Sequence, residues 1–452
     1  MPSTSPDRPA RPGLREAGAA FRHRNFAVFW VGALLSNTGS WMQNITVPFV
    51  VYELTRSAGW VGFAAFMQMM PNVVVGPLAG AIADRFPRRR VLMVTQSLQA
   101  VVAVALWAVW AAGVATPGVI VTLVAVNGLI AGLNIPSWQA FVSELVPREA
   151  LLNAVTLNSA QFNASRALGP ALGGIVLGTL GPGAAFLVNA GSYAAVLVAL
   201  GLVRLAATPG RSGSLHVWAQ FREGVSYVRT QPGIKACMGL VTLLGFLGMP
   251  VFQLAPVFAR EVYDVGGALY GLLAASMGIG AVLGAPIIGA WAPTRRRSRV
   301  ATGGLLLYAA AITAFGLAPV YWLGFVSLLL VGAAHLTVAS VLNTTIQLLV
   351  DERMRGRALS IYLMVLTGTM PVGALVQGQL AEAWGAPATA TTAGALMLAG
   401  GVLVRLRTRF TAPMDAPGPA AAADEPEVEG EAADAVAPTS AVDIAGAPSA
   451  AR

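Results

Sequence analysis

The chain has 452 residues, of which 56% are hydrophobic and only 11% charged, with a formal net charge of +9. So few charges cannot cover a water-soluble globule of this length, which leaves an integral membrane protein. The basic excess does not mark a nucleic-acid binder, because the cations are sorted to one side of a series of apolar runs rather than gathered into one stripe.

Taken in order, residues 1–24 are rich in proline and arginine (Arg8, Arg11, Arg15, Arg22, Arg24) and read as a cytoplasmic tail ending in a basic stop. No short apolar leader with a small-residue cleavage site precedes the first span, so no removal is expected. Apolar runs long enough to cross a bilayer, about 20 residues each, follow at 25–52, 58–83, 91–114, 118–143, 152–178 and 183–204. A second set follows at 236–260, 268–292, 300–317, 322–349, 358–381 and 387–404. This predicts an all-α integral membrane protein with twelve transmembrane helices, in six-helix halves at 25–204 and 236–410. Between them, residues 205–235 open with a linker composition and then space Val217, Trp218, Phe221, Val225, Tyr227 and Val228 among Arg222, Glu223 and Arg229. That pattern predicts an amphipathic helix on the cytoplasmic face between the halves. Residues 411–452, rich in Ala, Pro, Asp and Glu, predict a disordered acidic tail. A single cysteine, Cys237, excludes an intrachain disulfide framework and a Cys-x-x-Cys metal site.

The loops at 84–90, 205–235 and 294–299 are basic, whereas those at 115–117, 179–182 and 318–321 carry no charge. Of the 28 Lys and Arg residues before position 413, 25 fall in loops of one side, Arg56 and Arg260 fall on the other, and Arg166 lies inside a span. Cationic loops stay in the cytoplasm during insertion, so a cell-membrane protein with both termini cytoplasmic is expected.

The chain also echoes itself. At an offset of 209 residues (289 minus 80), Gly76-Pro77-Leu78-Ala79-Gly80 falls on Ala285-Pro286-Ile287-Ile288-Gly289, and an arginine cluster follows each copy. The same offset carries Gly62 to Gly271 and Phe49 to Phe258. An offset of 204 (332 minus 128) carries Gly128 to Gly332, Gly169 to Gly373 and Gly174 to Gly378. A duplicated unit is expected, giving two pseudo-symmetric bundles. Asp84 has no twin, since Pro293 stands in its place.

The spacing of Gly80, Asp84, Arg85, Arg88, Arg89 and Arg90 resembles the loop between the second and third helices of the major facilitator superfamily, with Pro87 where that family usually has glycine. By itself such a loop is a topology anchor. In the family it is a gating latch whose acid pairs with the opposite half, and Arg353, Arg355 or Arg357 would be the partner here. In span five, Ser165, Gly169, Pro170, Gly173 and Gly174 resemble the fifth-helix signature of drug-exporting antiporters, with Ser165 where glycine is usual. Proline removes one backbone hydrogen bond and glycines admit close helix contact; ordinary small-residue packing is the plainer account of the same residues. With the stretches 38–55 and 146–154, these motifs resemble the enterobactin-exporter-like, multidrug-efflux branch over about residues 20–410. The resemblance implies the major facilitator fold and alternating access.

Arg166 is costly inside a span unless it meets a partner, water or ligand. It either pairs with Glu144 or helix-end carbonyls, or serves substrate or coupling. His335 titrates in the useful range, although a lone histidine in an apolar helix more often only packs. No mid-span acid is evident, the remaining titratable candidates for coupling are Asp84, Glu53, Glu144, Glu382 and His335, and the arginine common in the fourth helix of proton-coupled relatives would fall near Val124 and is missing, so proton coupling follows from the resemblance alone. For substrate, span one aligns Asn37, Trp41 and Asn44 on one face, and span four aligns Asn127, Asn134 and Trp138. Span seven offers Met249, Phe252 and Gln253, and span ten offers Asn343 and Gln347. The family lines its cavity with these four spans, and such a pocket suits a bulky, largely uncharged ligand, although the same side chains also serve helix packing.

No phosphate-binding loop, zinc-protease motif or serine-hydrolase elbow is present. A non-enzymatic protein with no cofactor or metal is expected. The reading is a monomeric secondary exporter of siderophores, antibiotics or other amphipathic small molecules, with protons as coupling ion. An uptake carrier of the same fold and an uncoupled lipid-handling or scaffold protein are the alternatives.

Overall fold

The computed structural model describes residues 18–204 and 217–417, which are helical almost throughout. Six long helices form the first half: α1 (Arg24–Thr55), α2 (Ala58–Arg85), α3 (Arg88–Ala111), α4 (Pro117–Val142), α5 (Leu151–Thr179) and α6 (Gly181–Leu202). A surface helix, α7 (Val217–Thr230), leads to α8 (Pro232–Leu243), which continues as irregular helix to Val262, and then to α9 (Gly267–Trp291), α10 (Arg297–Leu317), α11 (Tyr321–Leu349), α12 (Arg355–Trp384) and α13 (Ala386–Leu406). The twelve apolar runs therefore correspond to α1 to α6 and α8 to α13.

Ten of these helices are long and apolar enough to cross a membrane. The other two, α1 and α5, are long but carry polar side chains through their middle, and they pack on one another. Asn37 Nδ2 donates to Gln161 Oε1 at 3.2 Å, Thr38 Oγ1 to Ser165 Oγ at 3.2 Å, and Ser165 Oγ to the Leu34 carbonyl at 3.2 Å. Polar groups that lower the hydropathy of each helix are thus satisfied between them, as a low-dielectric surrounding requires.

The duplication is visible in the packing. Within the first half Gly128 of α4 lies on the Gln68 carbonyl of α2, and within the second its twin Gly332 of α11 lies on the Met277 carbonyl of α9. Between the halves, α2 crosses α12 where Gly62 meets Gly378, and α5 crosses α9 where Gly174 meets Gly271. A methyl on Gly62 would come within 2.7 Å of the Gly378 Cα, so both crossings need a bare backbone. These four glycines are the ones that the two sequence offsets match. Arg56 and Asp264 both adopt left-handed backbone, with φ of 51° and 49°, at the equivalent ends of α1 and of the α8 continuation.

That continuation departs from regular helix, with π turns at Leu244–Gly248 and Phe258–Val262 around a 3-10 segment at Met249–Leu254. Gln377 of α12 donates to the carbonyls of Phe246 and Leu247, both at 3.0 Å, where the ladder is interrupted. Such interruptions are tolerated in a membrane when neighbouring side chains take up the freed groups.

The surface helix is docked on the second half rather than lying between the two. Val228 is buried, Phe221 and Val225 pack against the core of that half, and Gly224 rests on Ile361 and the Arg357 stem. The Tyr227 hydroxyl donates to Asp351 Oδ2 at 3.1 Å, and burial is the main cause raising its pKa above the usual tyrosine value. The tail boundary also needs correction, because residues 411–416 are held in place. Thr411 and Met414 are buried, Asp415 accepts from the Ser298 backbone and hydroxyl at the start of α10, and the Ala416 carbonyl accepts from Arg297. Residues 1–17, 205–216 and 418–452, with the expectations placed on them, lie outside the described residues.

Candidate functional site

The ends of the bundle differ. At the end opposite the basic loops, Tyr52 donates to Glu261 at 2.5 Å and Arg260 Nε to Glu53 at 2.5 Å. Ser57 and the Gly59 amide donate to Glu382 at 2.8 and 3.1 Å, and the Tyr270 hydroxyl donates to the Ile45 carbonyl at 2.8 Å. Phe49 stacks on Tyr270 at 5.2 Å and receives the Arg260 guanidinium at 5.2 Å. All of these join one half to the other, and sequence reasoning did not foresee them as a group.

At the basic end, no hydrogen bond or ion pair crosses between the six-helix halves among the described residues. Gly80 has no neighbouring atom within 4 Å of where a Cβ would stand. The Asp84 side chain lies outside the described residues. Arg88 pairs with Glu144 at 2.5 Å, Arg89 donates to the Leu200 and Gly201 carbonyls, and Arg85 and Arg90 are exposed. Of the expected latch partners, Arg357 pairs with Glu223 of α7, while Arg353 and Arg355 are exposed. Among the described residues, the basic loop is thus tied to its own half, and polar bonds join the two halves at the far end only.

Midway along the helices, Arg166 of α5 is partly buried, and its guanidinium stands over the Trp41 ring at 5.7 Å. It makes no hydrogen bond or ion pair among the described residues, and the expectation that Glu144 holds it is corrected, since Arg88 occupies that carboxylate just past the end of α4. The Arg166 charge instead acts on Tyr308 of α10 and His335 of α11, in the opposite half. Those two rings lie 6.0 Å apart. His335 is 8% exposed, and its Nδ1 is buried without a hydrogen-bond partner. Tyr308, which packs on Gly248 at the interruption after α8, was not anticipated, because its helix is not one of the four assigned to the cavity.

Several other candidates bind neighbouring helices. Asn44 accepts from Gln68 at 2.7 Å, and Asn134 accepts from Thr95 at 2.8 Å and from Gln96 at 3.3 Å. Trp138 packs on Phe29 at 4.9 Å in a buried cluster with Phe141. Asn127 is partly buried with its Oδ1 unpaired. Met249, Phe252 and Gln253 are partly buried in the interrupted segment, and Asn343 accepts from Gln347 one turn on. In the span-five motif, Ser165 joins the α1–α5 bonds, Gly169 and Gly173 pack on Trp41 and Met42, and Gly174 makes the crossing already described. Pro170 is buried in α5, with its carbonyl against Gly271.

Two helical halves that meet along a seam, sealed at one end and enclosing polar groups midway, define a membrane transporter. A family model described as "Transmembrane secretion effector" matches residues 16–439, and the chain belongs to that family of the major facilitator superfamily. It is 28% identical over 391 residues to the multidrug efflux pump Tap of Mycolicibacterium fortuitum, covering 82% of this chain and 92% of that one. It is 25% identical over 410 residues to the enterobactin exporter EntS of Escherichia coli O1:K1 / APEC, covering 85% and 92%. A bacterial homolog to the human lysosomal transporter Spinster, solved in an inward-facing and occupied conformation, shares the fold with a TM-score of 0.68 at 14% identity, covering 87% of this chain and 97% of that one.

Proposed function

We propose that this multi-pass membrane protein exports amphipathic small molecules across the cell membrane by alternating access, in exchange for protons. With both termini and the basic loops cytoplasmic, the one-sided seal gives a conformation closed outside and accessible from the cytoplasm, the state in which an exporter loads. That asymmetry is the observation that carries the proposal. The names of the efflux relatives and the Gly-Pro-x-x-Gly-Gly run of α5 support its direction. The protein acts as a monomer with no resident cofactor, and its partners are the bilayer, the substrate and the coupling ion.

The test is transport in proteoliposomes with a proton gradient imposed in either direction, alongside accumulation assays in cells stripped of efflux pumps. An exporter lowers cellular accumulation and shows proton-dependent counterflow. Raised accumulation would instead establish an uptake carrier, and absence of counterflow would leave the lipid-handling or scaffold reading.

A further inference from the structure

Arg166 is a cation midway along α5 with no anion beside it among the described residues. The far-end carboxylates Glu53, Glu261 and Glu382 already face Arg260, Tyr52 and Ser57, and Glu144 is taken by Arg88. Beside Arg166 stands a flat aromatic, Trp41, with Phe162 edge-on to it at 6.0 Å, while in the opposite half His335, near enough for the Arg166 charge to act on it, buries an imidazole nitrogen that finds no partner among the described residues. A guanidinium held over an indole keeps its N–H edge free for an acceptor. An unpaired buried imidazole nitrogen is likewise costly until something bonds to it.

We propose that Arg166, Trp41 and His335 form a subsite for an anionic oxygen attached to a flat apolar group, such as an aromatic carboxylate. This deepens the exporter reading and rests on it, and it replaces the expectation of a largely uncharged ligand. An oxygen placed there takes a charge-assisted N–H bond from α5 of one half and a second bond from α11 of the other. The ligand therefore bridges the seam, and the apolar group lies along Trp41 and Phe162.

The test uses the full chain in lipid nanodiscs and two probes of nearly equal shape, 1-naphthoate and the neutral 1-naphthamide, titrated calorimetrically. The wild type should prefer the carboxylate by roughly tenfold or more, the scale of a hydrogen bond to a charged group. Arg166→Gln should abolish that preference, and His335→Leu should weaken it. Equal binding of the two probes by the wild type, or a preference that survives Arg166→Gln, overturns the subsite. Should Arg166→Gln fail to fold, Arg166→Lys keeps the charge but loses the planar fork, and an unchanged preference in that variant overturns it as well. Wild-type counterflow of naphthamide is read separately: counterflow without charge preference removes only the anion subsite, whereas discrimination without counterflow of either probe removes the exporter reading.

Discussion

Tyr263 buries its hydroxyl against Gly324 at the far end without a hydrogen-bond partner. A buried hydroxyl left unpaired is destabilising, so Tyr263→Phe should raise stability by about 1 kcal/mol, seen as a higher melting temperature in detergent. Burial also pushes its pKa from 10.0 up to about 12. A folded value above the unfolded one means that this contribution is complete below pH 10.0 and is lost as pH rises through about 12. Tyr263→Phe should remove that alkaline loss, followed by melting between these limits and by tyrosinate absorbance. The Arg260–Glu53 pair retains 29% and 22% side-chain exposure, so screening limits its worth to about 1 kcal/mol. Arg260→Gln should shift the equilibrium roughly fivefold toward a state open at this end of the seam. Spin labels at Val114 and Val320, exposed near far-end loops of opposite halves, should then report a larger population of long distances. At this scale the sequence was half legible: Arg166 stands out wherever it folds, but its place over Trp41 requires knowing which helices meet. Glu261 carried a signal that could have been used, since the shift carrying Tyr52-Glu53 onto Arg260-Glu261 is 208 residues (260 minus 52).

Among the elements, α2, α5, α9 and α12 make the seam, and its crossings discriminate between glycines. Gly174→Ala and Gly378→Ala put a methyl into the opposing backbone and should lower transport by roughly tenfold or more, at unchanged membrane insertion, because the sealed end cannot close. Gly80 and Gly289 meet nothing in this state. Gly80→Ala should keep the stability of this conformer or raise it by about 0.5–1 kcal/mol through helix propensity, while slowing transport if its close contact belongs to the opposite state. Melting temperature and transport rate in the same preparation separate the two classes. Apolar runs revealed the spans because a bilayer demands about 20 apolar residues in each. Hydropathy is blind to hydrogen-bond register, so the π and 3-10 turns after α8 were not legible, although Gly248-Met249-Pro250 and Pro256 mark where regular helix is weakest.

For the whole molecule, the one-sided charge distribution and the internal repeat made the architecture readable before any coordinates. Which end of the seam is sealed was not, because both closed states must be encoded by one chain and differ little in free energy. Residues 411–416 escaped for a simpler reason: one buried Met414 and one capping Asp415 vanish in the average over an acidic tail. At the sealed end, Tyr52 and Arg260 hold equivalent positions, as do Glu53 and Glu261, and each donor reaches the carboxylate of the other half. This is the reciprocal exchange that a two-fold dimer makes. Residues 1–210 and 211–452, produced together as separate polypeptides, should therefore assemble, and a tag on one should retrieve the other. A single ancestral six-helix protein could have joined to its own copy through such a face, long before fusion placed the pair in one gene. The two copies are no longer identical: Arg166 corresponds to Met370 and His335 to Ala131, so the far-end lock keeps a two-fold pattern that the polar groups midway along the seam do not.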